Sequence, residues 1–267
     1  MLYFVATPIG NLSDMTFRAV ETLKNADFIA CEDTSHSLKL LNHFGIKKTL
    51  ISYHKFNEKK CAEKIIGLIQ EDKNVAVISD AGMPLISDPG NFLVNLCIEK
   101  NIKYTVVPGA SASLCALLLS GFDSSAFAFF GFLPKENKQR KIVAKKFEKM
   151  QCTLLFYTPP HGLKDDLAFL HKVLGARKFC LAKEITKIYE NVSFGVLGEE
   201  FADDIKGEYV IVVEGAKEAL NPFSALSLAE HYRFYVDSGM SNMDAVKCIA
   251  KDRKLAKSVI YNELNND

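Results

Sequence analysis

Short apolar runs rich in β-branched and aromatic residues alternate with stretches of helical period along the first hundred residues. Residues 2–6, 28–31, 49–53, 75–79 and 104–107 are expected strands. Between them, residues 59–70 place Ala62, Ile65, Ile66 and Ile69 on one helical face. This alternation predicts an α/β fold with a largely parallel sheet covered by helices. A second series follows Gly121, with strands expected at 127–132, 153–157, 179–182 and 209–213 and polar helical stretches between them, including 137–150. Gly, Asp and Ser interrupt the apolar pattern at 120–125, which sets the expected boundary between two α/β domains, 1–120 and 121–220. From about Ser224 the strands stop. Two amphipathic helices are expected in a tail spanning 221–267: 243–251, with Val246, Ile249 and Ala250 in one stripe, and 254–264, with Ala256, Val259, Ile260 and Leu264 in another. This helix-turn-helix-like appendix fits either a packed helical pair or a nucleic-acid reader.

The chain has 267 residues, 48% of them hydrophobic, enough for one sizeable core or two modest ones. Its net charge of +1 provides no global electrostatic argument for a nucleic-acid partner. The charge is segregated, however. Residues 135–149 hold seven basic against two acidic residues and residues 247–257 five against one, which leaves the rest of the chain at −8. The seven cysteines are scattered through mostly apolar runs, with no CxxC and no Cys/His cluster at ligand spacing, so reduced buried thiols and no metal are expected. The N-terminus reads as a strand rather than a signal peptide, and no apolar run approaches the ~20 residues of a membrane span. A cytoplasmic protein without a membrane partner is the expectation.

Three loops follow expected strands: Thr7-Pro8-Ile9-Gly10-Asn11; Asp80-Ala81-Gly82-Met83-Pro84 leading to Ser87-Asp88-Pro89-Gly90; and Pro108-Gly109-Ala110-Ser111-Ala112. In open α/β sheets ligands bind at the carboxyl ends of strands, so three such loops are expected to line one crevice. Glycine there lets the backbone approach a ligand, and Ser111 is placed to cap helix 112–119, whose positive end favours an anion. Neither GxGxxG nor GxxxxGK[ST] is present, which speaks against nicotinamide and P-loop chemistry.

These loops, together with Cys31-Glu32-Asp33-Thr34, His54 with Asn57-Glu58, Gly131-Phe132-Leu133-Pro134, Lys183-Glu184-Ile185-Thr186-Lys187 and Gly207-Glu208-Tyr209 with the run that follows, resemble the ordered signatures of one family. That family is the bacterial small-subunit (16S) ribosomal RNA (cytidine-2′-O)-methyltransferases, a branch of the tetrapyrrole-methylase superfamily. The resemblance implies two α/β domains with S-adenosyl-L-methionine in the cleft between them, a homodimer, and small-subunit ribosomal RNA or the 30S subunit, not DNA, as partner. It implies cofactor contacts from Ile9, Gly82, Met83, Ile86, Ser111, Ala112 and Tyr157. The chain departs from the family pattern at three places: Ser35 and Gly162 stand where arginine is usual, and Met83 where threonine is usual. Two missing arginines remove two bidentate phosphate or carboxylate partners.

A ribose hydroxyl is a poor nucleophile until its proton leaves, so a base or relay is expected. Glu32, Asp33, His54, Glu58 and Glu184 are the polar candidates at strand ends, with helix capping the competing role for Glu32 and Asp33 and a local cap for His54 and Asn57. Lys183 and Lys187 are candidates for steadying a phosphate or a developing alkoxide, against exposed edge-strand lysines as the alternative. Lys138, Arg140, Lys141, Lys145, Lys146 and Lys187 are the candidate RNA contacts. Two other readings stay open: the same fold acting on a tetrapyrrole or other substrate, and a non-catalytic RNA-binding assembly protein.

Overall fold

The computed structural model describes residues 1–199, 205–216, 223, 226–253 and 255–266. It divides into two compact units, Met1–Gly215 and Ala216–Asp267.

In the first unit, β1 (Leu2–Val5), β2 (Phe28–Cys31), β3 (Thr49–Ser52), β4 (Val75–Ile78) and β5 (Tyr104–Val107) form an all-parallel sheet in the order β3-β2-β4-β1-β5. The connecting helices are α1 (Phe17–Asn25), α2 (Thr34–His43), α3 (Glu58–Gln70) and α4 (Asn91–Glu99). Period-2 alternation sorts the strand side chains between two helical layers. Leu2, Phe4, Val75 and Val77 pack with Ile65, Ile66, Leu93 and Cys97 of α3 and α4, while Val5, Ala76 and Ile78 pack with Ala19, Leu23 and Leu41 of α1 and α2. Both faces are therefore buried, which is why β4 reads as an unbroken apolar run.

The chain then enters α5 (Ala112–Ser120), β6 (Phe127–Phe132), α6 (Asn137–Phe147), β7 (Thr153–Thr158), α7 (Leu163–Leu174), β8 (Lys178–Lys183), β9 (Asn191–Val196) and β10 (Tyr209–Val213). The second sheet runs β6-β7-β10-β8-β9, with β6 and β7 parallel and every other pair antiparallel. β9 is an addition to the expected strands. It is an edge strand whose Phe194 is exposed, so it lacks the continuous apolar run by which buried strands announce themselves. Helices α6 and α7 cover one face of this sheet, through Phe147, Leu163 and Leu170 against Phe156 and Ile211. α5 covers the other, through Ala116 and Leu117 against Leu155, Cys180, Val210 and Val212. One helix thus follows the last strand of the first sheet and forms the core of the second. All seven cysteines are free; Cys31, Cys61, Cys97 and Cys180 are buried as expected, whereas Cys115, Cys152 and Cys248 are only half-buried, and no helix among the described residues is long and apolar enough to cross a membrane.

Among its described residues the second unit holds three helices rather than the expected two: α8 (Leu228–Asp237), α9 (Asn242–Asp252) and α10 (Lys257–Asn266). Ile249, Ala250 and Ile260 form its core. α8 starts on a capping box, with Glu230 N–H donating to the Ser227 hydroxyl and Ser227 N–H to the Glu230 carboxylate. His231 is fully buried, stacked on Phe223 with ring centroids 4.0 Å apart, and its Nδ1 accepts from Arg253 Nε at 3.2 Å. Arg253 also donates to the carbonyls of Leu226 and Ser227, so this member of the second basic run holds the helical unit together. Lys254 of the same run lies outside the described residues.

Candidate functional site

At the carboxyl ends of the first sheet, the loops after β1 and β4 are zipped together. Thr7 N–H donates to Gly82 O at 2.9 Å and Gly82 N–H to Thr7 O at 3.1 Å. The Thr7 hydroxyl donates to Ser79 O at 3.2 Å. Gly82 sits at φ +74°, and a Cβ there would lie 3.1 Å from Ile9 Cγ2 and 3.5 Å from the Ala110 carbonyl. The three loops therefore meet at one residue, where both the left-handed backbone and the close approach require glycine.

Above this junction lies a cavity of about 470 Å³, within the usual range for small-molecule sites. Ile9, Gly82, Met83, Ile86, Ser111 and Ala112 form its floor, and Tyr157, Ala182 and Val210 of the second sheet its roof. Of the six left-handed non-glycine residues among those described, Leu85 and Ser87 belong to the β4 loop and Glu184 and Thr186 to the loop after β8, both of which line this cavity. Concentrated backbone strain of this kind points to function rather than to packing alone.

Similarity to known proteins agrees with this geometry. Residues 1–199 match the family described as Tetrapyrrole (Corrin/Porphyrin) Methylases. The protein named Ribosomal RNA small subunit methyltransferase I of Halalkalibacterium halodurans is 44% identical, covering 98% of this chain and 93% of its own length, and that of Bacillus subtilis is 39% identical over 98% and 92%. The chain belongs to the tetrapyrrole methylase family, in its ribosomal RNA small subunit methyltransferase I branch. Among solved structures, the methyltransferase CobJ aligns with a TM-score of 0.62 at 18% identity over 80% of this chain and 94% of its own. The uroporphyrin-III-C-methyltransferase from Thermus thermophilus aligns at 0.58 and 18% over 80% and 93%. These last two likenesses concern the fold.

All seven residues expected at the cofactor line this cavity together. Ser111 occupies the N-cap of α5, as expected, but its hydroxyl bonds to the Ser113 hydroxyl at 3.2 Å and makes no cap bond. The Ser113 amide and hydroxyl interact instead with the Tyr157 hydroxyl, and the positive end of α5 borders the cavity, where it favours an anion.

The expected polar candidates separate. Glu32 and Glu184 line the cavity; Asp33, His54, Glu58 and Lys183 do not. The Asp33 carboxylate caps α2, accepting from Ser35 N–H at 2.7 Å and His36 N–H at 3.1 Å, and these bonds lower its pKa. Glu58 Oε1 accepts from Gly90 N–H at 2.8 Å and Phe92 N–H at 3.4 Å, fastening α3 to the start of α4. His54 Nδ1 accepts from Phe56 N–H within its own turn, and Asn57 Oδ1 accepts from His54 N–H at 2.9 Å. Lys183 is on an interior strand, not an edge, with its ammonium 5.6 Å from the Tyr209 ring centroid.

The cavity itself has two electrostatic faces. Glu32, Asp80 and Asp88 form one. Burial, then the charge of Asp80, raises the Glu32 pKa against an opposing contribution from His54. Burial, then the charge of Glu32, pushes Asp88 up to about 6, with a Ser79 hydrogen bond opposing and Asp80 adding to the rise. On the other face Lys187 Nζ lies 2.9 Å from both Glu184 Oε1 and Glu208 Oε2. Burial alone would raise Glu184, but the Glu208 amide and Lys187 outweigh it and hold the carboxyl low. Lys187 was expected at RNA; its ammonium is instead engaged inside this triad. Asp80, Asp88, Phe132, His161 and Glu208 were not singled out as site residues. The available signal was two aspartates eight positions apart in one glycine- and proline-rich loop.

Lys138, Lys141, Lys145 and Lys146 are exposed on α6, away from the cavity lining. Arg140 departs from expectation. Its guanidinium is 2.5 Å from buried Asp166, and its Nε donates to Pro134 O at 2.6 Å. Asp166 also accepts from the Thr158 hydroxyl at 2.6 Å. Arg140 therefore braces α6 and α7 against β7. Arg140→Ala is expected to destabilise the protein by about 3 kcal/mol, because it strands the Asp166 carboxylate, whereas Lys141→Ala should stay within about 0.5 kcal/mol. Urea unfolding of the two variants checks this contrast.

Proposed function

We propose that this chain is a cytoplasmic, homodimeric enzyme that transfers a methyl group from S-adenosylmethionine to the 2′-hydroxyl of a cytidine ribose in the 16S RNA of the small ribosomal subunit. The observation that carries the reading is the convergence of all seven expected cofactor residues on a cavity that also presents carboxylates of raised pKa. Near full-length similarity to proteins named for small-subunit RNA methylation supports the choice of substrate.

The cavity suits such a cofactor: the positive end of α5 favours an anion, the Glu32–Asp80–Asp88 wall faces a cation, and Ile9, Met83, Ile86 and Tyr157 offer apolar surface to a nucleoside. When bound, S-adenosylmethionine supplies an electrophilic methyl carbon with a neutral thioether as leaving group. The chain's part is to hold the hydroxyl oxygen in line and to take its proton. Asp88 is the group suited to accept that proton. Its pKa of about 6 leaves it ionised yet basic near neutral pH, whereas Glu184 is weakened as a base by its low pKa and Asp33 and Glu58 are held by backbone amides.

The homodimer reading is supported by an apolar surface on the first unit. Tyr104 and Val106 on edge strand β5, with Leu114, Leu118 and Leu119 on α5, are exposed along consecutive elements. A patch of this kind on an edge strand marks a covered interface. Leu118→Glu should convert the dimer to monomer in sedimentation experiments.

The decisive experiment is mapping ribose methylation on small-subunit RNA with and without the protein, alongside a tetrapyrrole precursor as alternative substrate. Methylation of the precursor alone, or no cofactor binding by calorimetry, would overturn the reading. Asp88→Asn should lower turnover by about 10²–10⁴ with cofactor binding retained. The wild-type rate should rise with pH through about 6 and then level, and Glu32→Gln should move that limb to lower pH. Because the folded-state pKa of Asp88 lies above its ordinary 3.8, its contribution to stability is greatest below that value and is lost as pH rises through about 6. Asp88→Asn should therefore melt no lower than wild type at pH 7.5. Neutralising Lys141, Lys145 and Lys146 together should weaken RNA binding and flatten its salt dependence by up to about 3 in slope.

A further inference from the structure

Large apolar side chains gain free energy by leaving water, and scattered exceptions are ordinary. Here the exceptions are not scattered. The four most exposed large apolar residues described in Met1–Gly215 are Phe17 at 98%, Phe56 at 95%, Ile188 at 94% and Tyr189 at 78%. All lie on loops or helix starts that follow the carboxyl ends of β1, β3 and β8, beyond the residues that line the cavity itself. Phe17 opens α1 at the end of the β1 loop, and Tyr189 lies in the loop after β8. These two segments are joined by the Thr186 hydroxyl, which donates to Asp14 Oδ2 at 2.5 Å, and by Lys187, whose side chain packs against Gly10. Phe56 lies in the β3–α3 turn, its ring 6.0 Å from that of His54, which in turn acts electrostatically on Glu32 in the cavity wall.

The β3 and β1 loops stand three strand spacings apart, about 14 Å. Phe56 thus stands about that far from Phe17 and Tyr189 along the carboxyl edge of the sheet, with the cavity-lining loops after β2 and β4 between them. Exposed cations accompany them: Arg18 follows Phe17, while Lys55 and Lys60 flank Phe56. Aromatic faces interleaved with cations are what a single polynucleotide strand requires, the rings for its bases and the cations for its phosphates.

We propose that Phe17, Tyr189 and Phe56 are stacking platforms for the bases flanking the target nucleotide, so that the substrate is unpaired RNA lying across the mouth with one nucleotide inserted between the platforms. The inference rests on the RNA reading above and deepens it. It assigns recognition to the strand's unstacked bases, with the α6 lysines acting on phosphates further out.

The chain contains no tryptophan, so Phe17→Trp, Tyr189→Trp and Phe56→Trp each create a unique fluorophore. Titration with single-stranded small-subunit RNA should quench each indole, while Tyr104→Trp on the outer edge of β5 should be unaffected. Alanine at each platform should raise KM for RNA at least about fivefold with cofactor affinity unchanged, and tryptophan should restore it. Unquenched indoles, KM values within twofold, or equal quenching by duplex and single strand would each overturn the proposal while leaving wild-type methylation, and hence the proposed function, intact. A wild-type protein that neither binds nor methylates small-subunit RNA would remove both.

Discussion

The position of α5 is the constraint on which the site depends. Its first residues complete the third loop of the parallel sheet, and one turn later Ala116 and Leu117 are buried in the core of the mixed sheet. A helix is a stiff rod with a 1.5 Å rise per residue, so the floor and the roof of the cavity cannot move independently while that core stays packed. The apolar character of α5 on all sides follows from this double duty. Its inner face meets Leu155, Cys180 and Val212, and its outer face carries the leucines exposed in the single chain. Loops that carry ligand-binding residues are ordinarily the mobile parts of a fold; here they are held by a buried helix and by the paired backbones of Thr7 and Gly82.

The electrostatics divide along the same line. On the first sheet's side three carboxylates crowd together without a cation among the cavity-lining residues beside them, which raises Glu32 and Asp88. On the second sheet's side Glu184, Glu208 and Lys187 satisfy one another. The first set remains available for proton transfer or for contact with a cation. The second fixes a strained loop, since Glu184 and Thr186 both adopt left-handed backbone and the Thr186 amide donates to Glu190. Similar residues thus carry different chemistry because one cluster includes a counter-ion and the other does not.

Much of this was legible in the chain, for physical reasons that also explain what was not. Buried parallel strands leave continuous apolar runs, so β1, β2 and β4 stood out, as did the three loops that follow strands of that sheet. β9 left no such run because it is a half-covered edge, and α8 was missed although Ser227 and Glu230 spell a capping box. Residue types alone did not separate roles. Asp33, Glu58 and Asp88 are all acids after strands, and only the direction of backbone amides makes the first two structural. Arg140 sits within a basic run yet faces inward, because Asp166 one helix away demands a partner, a long-range pairing that local sequence cannot reveal.

The departures from the family pattern acquire a physical meaning in the same frame. Ser35 lies in the first turn of α2, where its amide serves the Asp33 cap, and Gly162 opens α7 directly after His161 of the cavity wall. Arginine at either place would put a planar, bidentate cation beside the mouth. Without them, the exposed cations near the mouth include Arg18, Lys55 and Lys60, on the segments that carry the exposed rings. Of these Arg18 offers a planar fork, but a lysine is a point charge and orients a phosphate poorly, so part of the orientation must come from elsewhere. Planar aromatic faces supply it, since a stacked base fixes the plane of its nucleotide whatever the phosphate does. Surface cations and exposed aromatic rings on the same segments are then two parts of one arrangement for holding RNA.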